Sequence, residues 1–397
     1  MLRNLLMKLE DPKRELLGPN VKALEFWGIL LPENKPRRYM YIFLHALVFL
    51  FTFTEYVDIF FILNSDLILV LTNVKITLLA TISCCKISTF LFWQKRWKDI
   101  IDYVTRADSS ARAAAAAAAG RGDANIIRSY TRYSRKITYL FWSLMATTNL
   151  FVIVQPILKF FCSSEYRENV RKGEEPLAQV VSSWVPFVKT TTPGFLGASA
   201  YQIFAAIYGG GWITSYDTNA MVIMVFFRGQ LELLRRNCVI LYDTVSDDEV
   251  RRRIIACHTT HKELVKFAAL YNSCLSPVMF LYMVICSFML CASVYQTLME
   301  TNPLNRFLIA EFLIFGVSQL FLYCWHGNDV TFMSNQVQSG VFESGWYKRN
   351  IYRRELVLLG YQLDKTIRFT AGPFVSLNIS SFTSILKGAY SYYTLLK

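Results

Sequence analysis

Two groups of residues have types and spacing that could support chemistry. Cys257, His258 and His261 lie within about one helical turn, and thiolate and imidazole groups are preferred ligands of Zn²⁺. A closed zinc site needs further ligands, and no His-Glu-x-x-His pattern accompanies these residues. We therefore interpret them as polar residues of a cytoplasmic helix, and we expect neither a metal nor another cofactor.

The glycine triplet Gly209–Gly211 is the second group. Phosphate-binding loops place their glycines between a strand and a helix and follow them with Lys-Ser or Lys-Thr, and the triplet has neither feature. Glycine on an apolar helix instead permits close packing against another helix or a local bend. No catalytic constellation emerges elsewhere, so we expect a protein that is not an enzyme.

The elements that carry these residues are long apolar runs. Of the 397 residues, 53% are hydrophobic and 18% are charged, and a bilayer core requires about 20 consecutive apolar residues per helix. Seven runs reach or approach this length, which predicts an all-α, polytopic membrane protein with seven transmembrane helices. The runs are Tyr39–Leu63, Leu67–Trp93, Ile137–Phe161, Gly194–Phe227, Tyr271–Met299, Leu304–Trp325 and Gly372–Leu396.

The charge distribution predicts the orientation of these spans. The net charge is +13, and 32 of the 42 Lys and Arg residues fall in the N-terminal segment and in the second, fourth and sixth loops, against 7 in the alternate segments. Because basic loops stay in the cytoplasm, the N-terminus is expected inside and the C-terminus outside. We interpret the basic residues as contacts to membrane lipid and expect no nucleic acid partner.

The region between the sixth and seventh runs is polar, yet it has a helical pattern. Its apolar residues recur near the helical period, so the predicted helix needs a partner for one face. That partner is expected to come from the start of the fifth run, Glu263–Leu270, and from the fourth run, which together would form a cytoplasmic layer. The apolar residues are Ile351, Leu356, Leu359, Leu363 and Ile367.

The fourth run is too long for a bilayer. Its 34 residues would extend roughly 50 Å at 1.5 Å per residue, so its inner end is expected to continue into the cytoplasm. Asp217 is then expected near the inner interface, where a charge is not costly.

The C-terminal third contains the most specific pattern. The block FLYCWHGNDVTFMSNQVQSGVFESGWY at 321–347, followed by GPFVSLNISSFTSILKGAYSYYTLL at 372–396, closely resembles the signature of insect odorant receptors. The resemblance extends more weakly to WVPF at 184–187 and to VYQTL at 294–298. The ending favours the odorant branch, and the loop after the fourth run favours an odorant-specific tuning subunit over the co-receptor Orco.

The resemblance implies an odorant-gated, non-selective cation channel. It implies a volatile small molecule as ligand, Orco as partner in a heterotetramer, and the plasma membrane of olfactory neurons as location. A gustatory-type channel of the same fold stays open as an alternative. A G-protein-coupled receptor is less favoured, because its N-terminus would lie on the opposite side and no Asp-Arg-Tyr follows the third run.

In this family the last helix lines a central pore. One face of the last run would then form the gate by excluding water, although the same face could simply pack against neighbouring helices. The implied division of the chain is a cytoplasmic segment at 1–38, spans one to six at 39–325, a cytoplasmic helical anchor at 326–371 and the pore-lining helix at 372–397. The gate residues are Ile385, Gly388, Tyr392, Leu395 and Leu396.

The resemblance also implies an odorant pocket among the outer halves of spans two to five. For most of the candidates, plain helix packing is an equally good interpretation, and Tyr295 is favoured because it lies in the VYQTL segment. The candidates are Val70, Asn73, Val74, Thr77, Thr147, Phe151, Val154, Tyr201, Ala205, Tyr208, Ala292 and Tyr295.

Overall fold

A computed structural model describes residues 10–11, 13–64, 67–117, 121–173, 177–186, 192–243, 246–349 and 351–396. Within these ranges the chain is almost entirely helical. The helices are α1 (Gly18–Phe26), α2 (Lys35–Ile62), α3 (Leu67–Phe92), α4 (Gln94–Ala117), α5 (Arg121–Cys162), α6 (Ser164–Lys172), α7 (Thr192–Val239), α8 (Asp247–Met299), α9 (Pro303–Phe342), α10 (Arg353–Leu363) and α11 (Ile379–Leu396), with a 3₁₀ turn at Trp346–Lys348 and two short strands, β1 (Thr370–Ala371) and β2 (Val375–Ser376).

Each of the seven apolar runs corresponds to one long helix. Among the described residues, α2, α3, α5, α8 and α9 are long and apolar enough to cross a membrane. Helix α7 contains the fourth run, and α11 contains the C-terminal part of the seventh. The all-α architecture is therefore confirmed, whereas the number of spans and the orientation of the termini remain predictions.

The last apolar run does not form a helix along its whole length. Strands β1 and β2 pair antiparallel, with Thr370 opposite Ser376, and Gly372 turns between them at φ +65°, a conformation that favours glycine. Asn378 Oδ1 then accepts a hydrogen bond from Ser381 N (2.8 Å) and caps the helix that follows. The helix consequently begins at Ile379, seven residues later than the apolar run predicted.

Helix α7 is the central element of the bundle. It makes its most extensive contacts with α9 and α5 and also packs against α2, α3 and α8. Its side chains from Ala220 to Phe227 are buried on all sides, which explains why this stretch is hydrophobic all round rather than amphipathic. Neighbouring helices thus surround the side chains of this stretch of α7.

Asp217 on α7 lies in the core of the bundle, so the prediction that its charge avoids burial is wrong, whereas its depth relative to the membrane remains a prediction. Its side chain is 0% exposed and pairs with Lys86 Nζ of α3 at 2.6 Å. Tyr323 of α9 donates to Asp217 Oδ1 (2.6 Å), and Gln319 of α9 donates to the other oxygen. The prediction failed because it assumed that water solvates the charge of Asp217. In the structure a lysine 131 residues away in sequence compensates this charge.

The predicted packing of the α10 region is confirmed in part. Leu356, Leu359, Leu363 and Ile367 are buried, and Ile351 packs against the same core. The main partners of α10 are α8, as predicted, and α9, where the fourth run had been predicted. That this layer lies in the cytoplasm remains a prediction.

His261 lies in this layer, in the part of α8 that precedes the fifth apolar run. It is buried, and its Nδ1 lies 3.2 Å from Gln362 Nε2 of α10. Burial, and then the charges of His258 and Lys365, lower the pKa of His261 to about 4. The imidazole is consequently neutral at physiological pH and joins α8 to α10 as an uncharged group.

The Lys86–Asp217 pair generates a stability prediction. We expect Asp217→Asn to destabilise the fold by about 3–5 kcal/mol, because Lys86 is left buried without its counter-charge. The double variant Asp217→Asn with Lys86→Met should recover much of this loss. The measurement is the melting temperature of detergent-solubilised protein, with Glu249→Gln in a partly exposed pair as a control that costs at most about 1 kcal/mol. Equal decreases in melting temperature for Asp217→Asn and Glu249→Gln would contradict the stabilising role of the buried pair.

His261 generates a pH prediction. Its pKa is lower in the folded chain than in the unfolded chain, so the neutral form stabilises the fold above about pH 6.5 and this contribution is lost as the pH falls towards 4. Between pH 7.5 and 5 we expect the wild type to lose about 2 kcal/mol more than His261→Gln does. Thermal melts at both pH values measure this difference, with Lys262→Gln at an exposed position of α8 as the control. A wild type and a His261→Gln variant that respond to pH in parallel would refute it.

Candidate functional site

A cavity of about 490 Å³ lies between α2, α3, α5, α7 and α9. Most of its wall is aliphatic or aromatic, which suits a small and mainly apolar ligand. The apolar wall includes Val48, Phe51, Phe151, Ile213, Phe312 and Phe315.

Helix α7 leaves room for this cavity through its glycines. A Cβ at Gly209 would meet no atom within 4 Å, and Gly209 lies on the cavity wall. At Gly210 and Gly211, in contrast, a Cβ would overlap the side chains of Asn149 and Trp27. The triplet therefore serves close helix packing, as the sequence predicted, and its first member keeps space open for a ligand.

The segment 177–186 packs at one end of the same cavity. Val181, in the segment 177–186, lines the cavity. The segment is held in place by Gln202 of α7, which accepts from Val180 N (3.1 Å) and donates to Ser183 Oγ (3.2 Å). Trp184 N also donates to Thr54 O of α2 (3.1 Å). Fixed side-chain contacts thus determine the shape of this end of the cavity.

Of the twelve predicted pocket residues, Phe151 and Ala205 lie on the cavity wall. The others lie elsewhere in the bundle, and their contact with a ligand remains a prediction. Tyr201 and Tyr208 donate to backbone carbonyls of Leu47 and Trp27, so their hydroxyl groups are engaged in helix packing. Val70, Asn73, Val74, Thr77, Thr147, Val154, Ala292 and Tyr295 are likewise absent from the wall.

Most wall residues were missed in the sequence, and two groups of them lie on helices that the prediction did not include. The first lies on α2 at Val48, Phe51 and Glu55, and the second lies on α9 from Leu308 to Phe315. Both groups recur at helical spacing, three or four residues apart. That signal marks one face of a helix but does not tell whether a cavity or another helix lies opposite.

The predicted gate residues lie on α11. Ile385 is half-buried and packs against the core of its own chain, whereas a Cβ at Gly388 would meet no atom within 4 Å. Tyr392, Leu395 and Leu396 belong to the helix, but their side chains lie outside the described residues. The exposed side of α11 carries Thr383, Ser384, Lys387, Tyr390 and Ser391.

Curated relatives of this chain are insect odorant receptors. Odorant receptor 22c of Drosophila melanogaster is 28% identical over 149 residues, which are 38% of this chain and 37% of that protein. Odorant receptor 10 of Aedes albopictus is 23% identical over 172 residues, which are 42% of this chain and 46% of that protein. The chain therefore spans less than half the length of these relatives.

The fold and a family profile agree with these matches. The olfactory receptor OR5 of Machilis hrabei, solved in complex with eugenol, superimposes with a TM-score of 0.79 at 15% identity and covers 97% of this chain and 99% of its own. This likeness shows the fold. The profile of the 7tm odorant receptor family matches residues 66–390, which is more than half of the sequence. The chain belongs to the insect odorant receptor family.

Proposed function

We propose that this chain is the odorant-binding tuning subunit of a ligand-gated, non-selective cation channel. The single observation that carries the proposal is the mainly apolar cavity of about 490 Å³ in a chain of this family. A volatile small molecule would bind there, and Orco would complete a heterotetramer in the plasma membrane of olfactory neurons. The eugenol complex of the Machilis receptor supports a small-molecule ligand for this fold.

Helix α9 offers a direct route from the cavity to the last helix. Its residues Phe312 and Phe315 line the cavity, and two turns further along Phe321 packs against Phe382 of α11, with ring centroids 5.4 Å apart. A ligand that binds one position of α9 better than another would shift the position of α11 as well. The gate would then open through this shift.

The beginning of α11 is attached to a second helix of the bundle. Gly372 N donates to Ser276 O of α8 (3.0 Å), and Thr370 N donates to Asn272 Oδ1 (2.9 Å). Helices α8 and α9 thus both act on the first turns of α11. Ile385, Gly388, Tyr392, Leu395 and Leu396 remain the proposed gate, with the exposed hydroxyl-bearing side of α11 available to water.

Patch-clamp recording tests the proposed function. Whole-cell currents to an odorant panel that includes eugenol are measured with the chain alone and with Orco, under G-protein blockade. We expect fast cation currents in the paired cells only. Responses to sugars or bitter compounds without Orco would instead favour a gustatory-type channel, and slow currents that blockade abolishes would favour a metabotropic receptor.

Gly209 provides a test of the cavity itself. We expect Gly209→Leu to fill part of the cavity and to raise the half-maximal concentration of activating odorants by about tenfold, the factor that corresponds to 1.4 kcal/mol of binding. The matched control is Gly360→Leu on α10, where an added Cβ also meets no atom within 4 Å. Surface expression of both variants is measured in parallel. Unchanged dose–response curves for Gly209→Leu would place the ligand outside this cavity.

A further inference from the structure

The cavity wall carries five charged side chains: Glu55, Lys75, Lys159, Glu300 and Glu311. Among the described residues, Lys75 Nζ donates to Ser293 Oγ (3.2 Å) and lies 5.2 Å from the ring centroid of Phe312. Glu311 accepts from Thr148 Oγ1 at 2.6 Å. Each of these two groups therefore has a hydrogen-bond partner within the bundle.

The two charges at the outer end of the wall are also matched. Lys159 lies 4.3 Å from the ring centroid of Tyr166. Glu300 accepts from Asn302 N (2.9 Å) and from Asn305 Nδ2 (3.3 Å). Neither group requires a ligand to complete its surroundings.

Glu55 differs from the other four. Its side chain is 2% exposed, and its Oε2 has no hydrogen-bond partner among the described residues. A buried carboxyl oxygen without a partner is costly, because it has lost water and gained nothing in exchange. The wall thus carries a buried carboxyl oxygen for which the described residues provide no partner.

Lys75 is too far along the bundle to serve as this partner. Thr52 Oγ1 lies 3.4 Å from Cys84 Sγ, and Tyr56 Oη lies 2.7 Å from Thr81 Oγ1, so Glu55 lies level with residues 81–84 of α3. Lys75 precedes these by six to nine residues, or about 9–14 Å at 1.5 Å per residue. The two charges therefore lie at different depths of the cavity.

We propose that the cavity selects ligands that carry a basic nitrogen, and that the ammonium group donates to Glu55; this inference rests on the proposed function and names its ligand class. The alkyl part of such a ligand occupies the apolar wall of Phe51, Phe151 and Phe315. A hydrocarbon of the same size leaves Glu55 unsatisfied, and a carboxylate ligand brings a negative charge that Glu55 cannot compensate. An alcohol supplies a hydrogen bond without the charge, which is weaker.

The test compares molecules that differ only in their polar end. Hexan-1-amine, hexan-1-ol, hexanal and hexanoic acid are applied to cells that express the chain with Orco, and to cells with Orco alone to remove responses of the partner. In the wild type we expect the half-maximal concentration of the amine to lie about tenfold below that of the alcohol, the difference between a charge-assisted and a neutral hydrogen bond. The acid should be the weakest of the four.

Variants at Glu55 assign the preference to this residue. In Glu55→Gln the half-maximal concentrations of the amine and the alcohol should become equal, whereas Glu55→Asp should retain part of the preference for the amine. Glu165→Gln, an exposed carboxylate on α6, is the matched control and should keep the full ratio. Because the two half-maximal concentrations are compared within one variant, differences in surface expression cancel. If Glu55→Gln is not expressed, Glu55→Asp is used in its place to test the role of Glu55.

The outcomes separate this inference from the proposed function. Robust currents with equal sensitivity to amine and alcohol would overturn the ligand class and leave the odorant-gated channel standing. An amine preference that survives Glu55→Gln would overturn the role of Glu55. Silence to this series and to the wider odorant panel would refute the proposed function and the ligand class together.

Discussion

The buried ion pair between Lys86 and Asp217 is the interaction on which the arrangement of the bundle depends. Two charges removed from water must stay close together. If they move apart within the core, their attraction no longer offsets the free energy that their removal from water costs. Lys86 also lies 5.0 Å from the ring centroid of Tyr282 on α8. The pair thus ties α3, α7, α8 and α9 to one point and fixes their rotation about their own axes.

The orientation of α9 follows from this constraint. Gln319 and Tyr323 must point at Asp217, so the residues one and two turns earlier, Phe315 and Phe312, face the cavity. Phe321 faces the other way, towards α11. Specificity for one helix register, more than net stability, is what a buried polar cluster of this kind contributes. The cavity and the contact with the last helix are therefore two results of the same fixed rotation.

The sequence predicted those features that depend on periodicity and length. The long helices and the apolar face of α10 follow from repeating patterns within one segment, and the structure confirms them. Asp217 was misplaced because the partner of a charge is set by tertiary packing. The late start of α11 was missed because Gly372 and Asn378 act through backbone geometry, which hydropathy does not record. The α2 and α9 walls of the cavity were missed because a helical face has the same pattern whether it meets a side chain or an empty space.

The attachment of α11 makes this helix resemble a beam that is clamped at one end. Its first turns are held by the β1–β2 turn and by Phe382, whereas further along Tyr390 is 65% exposed. The deflection of a clamped beam under a given load grows steeply with distance from the clamp. A displacement of a fraction of an ångström where α9 meets Phe382 would thus become larger towards Leu396. The length of the last helix therefore determines how far its end moves for a given displacement at Phe382.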